Sequence, residues 1–91
     1  MFWFATPPAN SDIWSPHIAI YGDMGVENAM ALPFLQEETQ SSVYDAILHV
    51  GDFAYDMHNN NGEIGDEFMR IIEPIAAYVP YMVAVGNHEQ K

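Results

Sequence analysis

The chain of 91 residues has no cysteine and only two basic residues, Arg70 and Lys91. The absence of cysteine excludes disulfide bonds within the chain and leaves its redox compartment open. Thirteen acidic residues give a formal net charge of −11. Nucleic acid is therefore not an expected partner, because neutralising backbone phosphates requires clustered Lys and Arg side chains.

The start of the chain lacks the features of a leader or an anchor. Met1 is followed by no basic region and by no apolar run of useful length, so we expect neither a signal peptide nor a membrane span in this chain. Residues 2–6 have a β-like pattern, and residues 7–12 form a polar connector rich in turn formers. We therefore expect residues 1–16 to be a linker that precedes a separate unit.

The remaining residues, 17–91, show an alternation of strand-like and helix-like patterns. We predict strands at 17–21, 45–50 and 81–85, and helices at 33–42 and 64–77. The second helix carries an apolar stripe that includes Phe68 and Ile72, and Pro74 predicts a kink or an early end there. The fold class is thus α/β, a β-α-β-α-β unit with a three-stranded parallel sheet and right-handed crossovers.

Two short helices cannot easily cover both faces of such a sheet. The chain is 49% apolar, which is ample for a core, but small chains bury a lower share of their surface than large ones. We therefore expect marginal stability and one uncovered sheet face, through which the chain could associate with another protein surface.

Three glycine-led motifs follow the three predicted strands. Residues 22–25 read Gly-Asp-Met-Gly, residues 51–55 read Gly-Asp-Phe-Ala-Tyr, and residues 86–89 read Gly-Asn-His-Glu. Each motif begins where an apolar run ends, and open parallel sheets bind ligands outside the carboxyl ends of their strands. Carboxylate, phenolate and amide oxygens beside an imidazole at one crevice favour a metal site.

Taken in order, the three motifs resemble the signature of the metallophosphoesterases. Tyr55, three residues after Asp52, narrows the resemblance to the purple acid phosphatases. Protein Ser/Thr phosphatases carry an Asp-Arg-Gly run near this point, whereas Asp56 is followed here by Met and His, which disfavours that branch. Residues 44–50 and 65–74 look like the animal acid phosphatase type 7 group, and the resemblance covers roughly residues 4 to 91.

The resemblance implies an acid phosphatase that hydrolyses phosphate monoesters at a dinuclear Fe(III)-M(II) centre with a metal-bound water as the nucleophile. Asp23 and Tyr55 would bind the ferric ion, and Asp52 would bridge both metals. Asn87 would bind the divalent ion, which is iron, zinc or manganese, and would face the substrate. His88, the catalytic residue, would donate to the phosphate or the leaving group.

The same family implies further features of the parent protein. A fibronectin-type sandwich would precede the catalytic domain, so that residues 2–6 would be the end of its last strand. Family members are generally extracellular, secreted or lysosomal. Because this chain is strongly acidic, bound metal ions would have to dominate the electrostatics of the site before a phosphomonoester could approach.

The chain departs from the family pattern in its histidines. Members carry two later motifs, Val-x-x-His and Gly-His-x-His, that add three imidazole ligands, and neither is present here. The divalent position would then keep only Asp52 and Asn87. We therefore expect half of a metallophosphoesterase α/β sandwich with low or no activity by itself. The alternative is a non-enzymatic fragment that binds metal weakly or interacts with another protein.

Other residues have more than one interpretation. Tyr55 could be an ordinary loop aromatic rather than a ligand. His49, between two apolar residues, is better explained as a hydrogen-bonded core residue than as a ligand, and Glu89 could accept hydrogen bonds behind the metal site or cap a turn. Residues 56–63 faintly resemble a calcium loop, but His58 and Asn61 occupy two of its key positions, so a polar loop over the mouth of the site is the better hypothesis.

Overall fold

The computed structural model describes residues 1–90 and shows one α/β unit. Its main elements are β1 (Ile18–Tyr21), α1 (Leu32–Gln40), β2 (Ala46–His49), α2 (Glu63–Ala76) and β3 (Tyr81–Val83). Single turns of 3₁₀-helix lie at Ser11–Ile13, Asn60–Gly62 and Asn87–Glu89. The β-α-β-α-β prediction is confirmed, with every boundary within two residues of the expected one.

The three strands form one parallel sheet in the order β1-β2-β3. β2 is central, and Ile47 pairs with Ala19 on one side and Tyr81 on the other. Because all three strands are parallel, their carboxyl ends lie at the same edge of the sheet. The three glycine-led motifs therefore leave the sheet side by side.

Helix α2 forms because its apolar residues recur at helical spacing, and it buries Phe68, Ile72 and Ile75. Pro74 does not end the helix, which continues for two more residues to Ala76. Two glutamines of α1 bind backbone carbonyls near the C-terminal end of α2. Gln36 Nε2 donates to the carbonyl of Ile71 at 2.8 Å, and Gln40 Nε2 donates to that of Pro74 at 2.6 Å. The two helices thus pack against each other.

One face of the sheet remains uncovered. Ile18, Ile20 and Met82 are 45%, 65% and 58% exposed, and Ile20 and Met82 flank Leu48 in register. On the other face Phe68 of α2 packs against His49, with 5.8 Å between ring centroids. The expected uncovered face is therefore present.

The first residues of the chain do not form a strand. They pack near the edge of the sheet where the strands begin. Phe2 and Trp3 meet the ring of Tyr78, with centroid separations of 5.8 and 5.2 Å. No strand lies within residues 1–16, so their origin as the end of a preceding sandwich stays a prediction. Among residues 1–90, no helix has the length and apolarity needed to cross a membrane.

Candidate metal site

The first and second strand-end loops are tied together by backbone hydrogen bonds. The amide of Asp23 donates to the carbonyl of Gly51 at 3.2 Å, and the amide of Gly25 donates to that of Phe53 at 2.9 Å. Asp23, Asp52 and Tyr55 have positive φ angles of 54°, 51° and 51°. All three are non-glycine residues in the left-handed region, a form of backbone strain that concentrates at functional sites.

Asp23 and Tyr55, 32 residues apart in sequence, meet at this edge. The Tyr55 hydroxyl donates to Asp23 Oδ1 at 3.0 Å. Lost hydration raises the pKa of Tyr55 above its ordinary value, and so do the hydrogen bond to Asp23 and the negative charges of Asp23, Asp52 and Glu89. Without a cation the phenol therefore keeps its proton.

Asp52 is the most deeply placed of the predicted ligands, with 8% of its surface exposed. Its Oδ1 accepts a hydrogen bond from the backbone amide of His88 at 3.0 Å, which joins the second loop to the third. The loops approach so closely that a Cβ on Gly86 would lie 2.2 Å from Asp52 Oδ1. Only glycine fits at that position without displacing Asp52.

Glu89 is the residue that holds the second and third loops together. Its Oε2 accepts from the amides of Asp52 at 2.8 Å and Gly86 at 2.9 Å, and its Oε1 accepts from the amide of Phe53 at 3.0 Å. Partial burial raises the pKa of Glu89, but the three amides outweigh it and set the pKa below its ordinary value. Both interpretations of Glu89 agree with the structure, since it caps the last 3₁₀ turn through the Gly86 amide and also accepts from the amides of Asp52 and Phe53.

His88 lies among the other predicted site residues. Its Nδ1 is 3.1 Å from Asp56 Oδ1, and its ring meets that of Tyr55 edge to face at a centroid separation of 4.7 Å. Asp56 was not predicted as a site residue. The available signal was its position directly after Tyr55, but the sequence does not reveal the positive φ of 71° at Asp56 or its contact with the third loop.

Asn87 begins the last 3₁₀ turn, with its side chain exposed. Within residues 1–90 no group of three or more His, Cys, Asp or Glu side chains is placed to hold a metal ion. The oxygens of Asp23, Tyr55 and Asp52 nevertheless form a donor set that suits one hard cation. For a second cation only Asp52 and Asn87 remain, so the residues fit one metal position better than two.

An open cavity of about 590 Å³ lies beside Asp23 and Tyr55. The loop residues Asn59 and Asn60 line it, which agrees with a polar loop over the mouth of the site. Residues 60–62 form a 3₁₀ turn, and no group of acidic ligands lies there among the described residues. The structure therefore does not favour a calcium loop.

Beneath the site, His49 is fully buried and belongs to a hydrogen-bonded row across the sheet. The hydroxyl of Tyr21 donates to that of Tyr81 at 2.9 Å, and the Tyr81 hydroxyl lies 2.7 Å from His49 Nδ1. Burial lowers the pKa of His49 and outweighs the negative charges of Glu89 and Asp23, which act to raise it. The lowered pKa keeps the ring neutral. The interpretation of His49 as a core residue agrees with this geometry.

This hydrogen-bonded row predicts that two tyrosine substitutions lower the free energy of unfolding by different amounts. Tyr81→Phe removes the partner of His49 Nδ1, while His49 Nε2 is already buried without a hydrogen bond to any residue from 1 to 90. We therefore expect a loss of about 1–3 kcal/mol in the free energy of unfolding. Tyr21→Phe leaves the His49 contact intact and should cost about 1 kcal/mol or less. Urea unfolding of both variants checks this, and equal losses would show that the His49 contact contributes nothing.

Comparison with known proteins gives a consistent result. The family model of the calcineurin-like phosphoesterases matches residues 16–91. Acid phosphatase type 7 of Mus musculus is 58% identical over 78 residues, which is 86% of this chain and 18% of that protein. The Homo sapiens protein of that name is 52% identical over 82 residues, 90% of this chain and 19% of its own length.

Among solved structures, a purple acid phosphatase from yellow lupin (Lupinus luteus) seeds superimposes with a TM-score of 0.63 at 32% identity. The match covers 85% of this chain and 15% of the lupin chain. This chain thus spans about a fifth or less of the length of these relatives. Because the family model covers the whole sheet and all three motifs, the chain belongs to the calcineurin-like phosphoesterase family and within it resembles the purple acid phosphatases.

Proposed function

We propose that this chain supplies the ferric-ion position of a phosphatase that hydrolyses phosphate monoesters. The observation that carries the proposal is the 3.0 Å contact between Tyr55 and Asp23 across two strand-end loops. A phenol and a carboxylate brought together at the mouth of a cavity, with the buried Asp52 in the adjoining loop, form an all-oxygen set for a trivalent cation.

Asp23, Asp52 and Tyr55 would hold the ferric ion, and Asp52 and Asn87 would contribute to a divalent position for zinc, iron or manganese. When bound, the two ions supply the positive charge and the activated water that hydrolysis requires. On an acidic chain of net charge −11, that positive charge is also what admits a phosphate ester.

The chain's own side chains prepare the site for this role. Tyr55 must release its hydroxyl proton to become a ligand, so metal binding should displace one proton from the Tyr55–Asp23 hydrogen bond. Asp56 fixes His88 through Nδ1 and so orients the other ring nitrogen. From there His88 can donate to a phosphate oxygen or to the leaving group.

A second candidate, a metal-binding module without activity, follows from the ligand count. Of the other histidines, His49 is buried under the sheet edge, His17 lies at the start of β1, and His58 is exposed. None of the three reaches the divalent position among the described residues. Hydrolysis that needs a filled divalent position would then require ligands from outside this chain.

The test combines ferric binding with phosphate release. We expect the purified chain to bind one equivalent of Fe(III) with a visible phenolate-to-iron absorption band, and Tyr55→Phe to abolish the band. Tyr44→Phe, at the opposite end of the sheet, is the matched control and should keep the band. A band that survives in Tyr55→Phe would exclude Tyr55 as the ligand.

Phosphate release from an aryl phosphate, after addition of ferric and zinc ions, separates the two candidates. Turnover that Asp52→Asn abolishes would show that the oxygens within this chain suffice for hydrolysis. Ferric binding without turnover, in a folded chain, would favour the module that needs further ligands. If the chain without substitutions showed neither ferric binding nor turnover, the metal site itself would be rejected.

A further inference from the structure

A separate cavity of about 260 Å³ lies at the edge of the sheet opposite the candidate metal site, where the strands begin. Its wall includes four aromatic residues, one acidic residue and three residues with aliphatic hydroxyls: Trp3, Trp14, Tyr44, Tyr78, Asp45, Thr6, Thr39 and Ser42. Its volume is just below the roughly 300–1,000 Å³ of pockets that hold drug-sized ligands. The cavity therefore fits a small head group rather than a large cofactor.

The charge around this cavity favours a cation. Asp45 belongs to the wall, and the hydroxyl of Tyr44 donates to the carboxylate of Glu38. No basic side chain lines the cavity in the described part of the chain, and Arg70 is paired with Glu67 on α2. Tryptophan and tyrosine faces attract cations through the ring quadrupole.

The arrangement of the rings supports the same ligand. Trp3 and Tyr78 are tilted at 52° with centroids 5.2 Å apart, so their faces form a corner rather than a closed stack. Rings set at an angle present several faces to one ligand, which is the geometry that recognises quaternary ammonium groups. A flat anionic ligand would instead meet aromatic faces and the negative charge of Asp45.

Hydroxyl side chains also belong to the cavity wall. Thr6 and Ser42 line it, and both residues are exposed. Thr39 lines it too, but its Oγ1 is buried and lies out of a ligand's reach. A polar group on the ligand can therefore hydrogen-bond to Thr6 or Ser42.

We propose that this cavity binds a small organic cation with a methylated ammonium head and a nearby hydroxyl or amide. The head lies against the aromatic wall formed by Trp3, Trp14 and Tyr78, Asp45 supplies the counter-charge, and the polar group reaches Thr6 or Ser42. The site is independent of the proposed phosphatase function, since none of its lining residues belongs to the metal site.

Tryptophan fluorescence gives a direct test, because both tryptophans of the chain line this cavity. The probe is choline, titrated at constant ionic strength, with 3,3-dimethylbutan-1-ol as the uncharged molecule of the same shape. We expect a saturable change with choline and at least about tenfold weaker binding of the neutral molecule, as cation–π attraction requires. Equal binding of both, or binding of neither, would overturn the proposal.

Two variants localise the effect. Trp3→Leu should weaken choline binding about tenfold, whereas Phe2→Leu, which removes a ring that also touches Tyr78 but does not line the cavity, should leave it unchanged. Circular dichroism checks that both variants are folded. If Trp3→Leu does not fold, Trp14→Leu takes its place. Comparison of choline with a trimethyl-lysine peptide and with phosphatidylcholine vesicles then identifies the source of the ammonium group.

Discussion

Gly51→Ala is expected to lower the free energy of unfolding by about 2–5 kcal/mol and to disrupt the candidate metal site. Gly51 has a φ of +91°, where a side chain strains the backbone. A Cβ at this position would also lie 2.6 Å from both the Cα and the amide nitrogen of Gly86. Because the obstacle is backbone, the second and third loops must separate to admit the methyl group.

A second glycine, Gly62, separates the two causes of this loss, which are backbone strain and steric overlap with Gly86. Gly62 has nearly the same φ, +90°, but a Cβ there would meet no atom within 4 Å. Gly62→Ala therefore carries the backbone strain alone and should cost about 1 kcal/mol. Urea unfolding of both variants measures the difference, and equal losses would show that the close approach of Gly51 to Gly86 is unimportant.

In a chain of this size the larger loss is decisive. Small domains have unfolding free energies near the lower end of about 5–15 kcal/mol. Within residues 1–90 few apolar side chains are buried, and Ala54, Phe68 and Ile72 form the core cluster. Gly51→Ala should accordingly leave a substantial unfolded fraction at room temperature, whereas Gly62→Ala should not.

The sequence predicted the sheet well because the relevant signals are local. The apolar runs that precede Gly22, Gly51 and Gly86 identify three strands, and the stripe through Phe68 identifies α2. The prediction at Pro74 was only partly right, since the helix extends two residues beyond it. A proline in the last turn removes one donor, and side-chain amides from α1 bind the carbonyls there.

The candidate site was less accessible to sequence reasoning because its contacts are non-local. The meeting of Asp23 with Tyr55, and of His88 with Asp56, depends on residues in the left-handed region that no pattern of residue types specifies. The cavity around Trp3 depends on how residues 1–16 fold back on Tyr78. Composition suggested only a linker there.

Glu89→Gln is expected to cost about 2–3 kcal/mol near neutral pH. The carboxylate accepts three backbone hydrogen bonds, and bonds to a charged acceptor are stronger than bonds between neutral groups. A glutamine oxygen can keep the Asp52 and Gly86 amides, but its NH₂ group would then face the amide of Phe53. The amide of Phe53 then loses its acceptor and faces a second donor.

The matched control is Glu67→Gln. Glu67 forms an ion pair with Arg70 at 2.8 Å on the exposed surface of α2, with side chains 49% and 68% exposed. Solvent-exposed pairs of this kind contribute about 0–1 kcal/mol, so this variant should be nearly as stable as the unchanged chain. Equal effects of the two substitutions would mean that the amide contacts of Glu89 add no stability.

The pH dependence gives the second measurement on Glu89. Its folded pKa lies below the ordinary value of 4.5, so its stabilising contribution is fully present above that value and is lost as the pH falls through the folded pKa. The stability difference between the unchanged chain and Glu89→Gln should therefore be constant from neutral pH down to about 5 and shrink at more acid pH. A difference that grows on acidification would contradict the assignment, because it would require a carboxyl whose folded pKa is raised. The contribution of Glu89 at neutral pH matters for the site, since Glu89 holds the amides of Asp52 and Gly86 and with them the loops that carry Asp52 and Asn87.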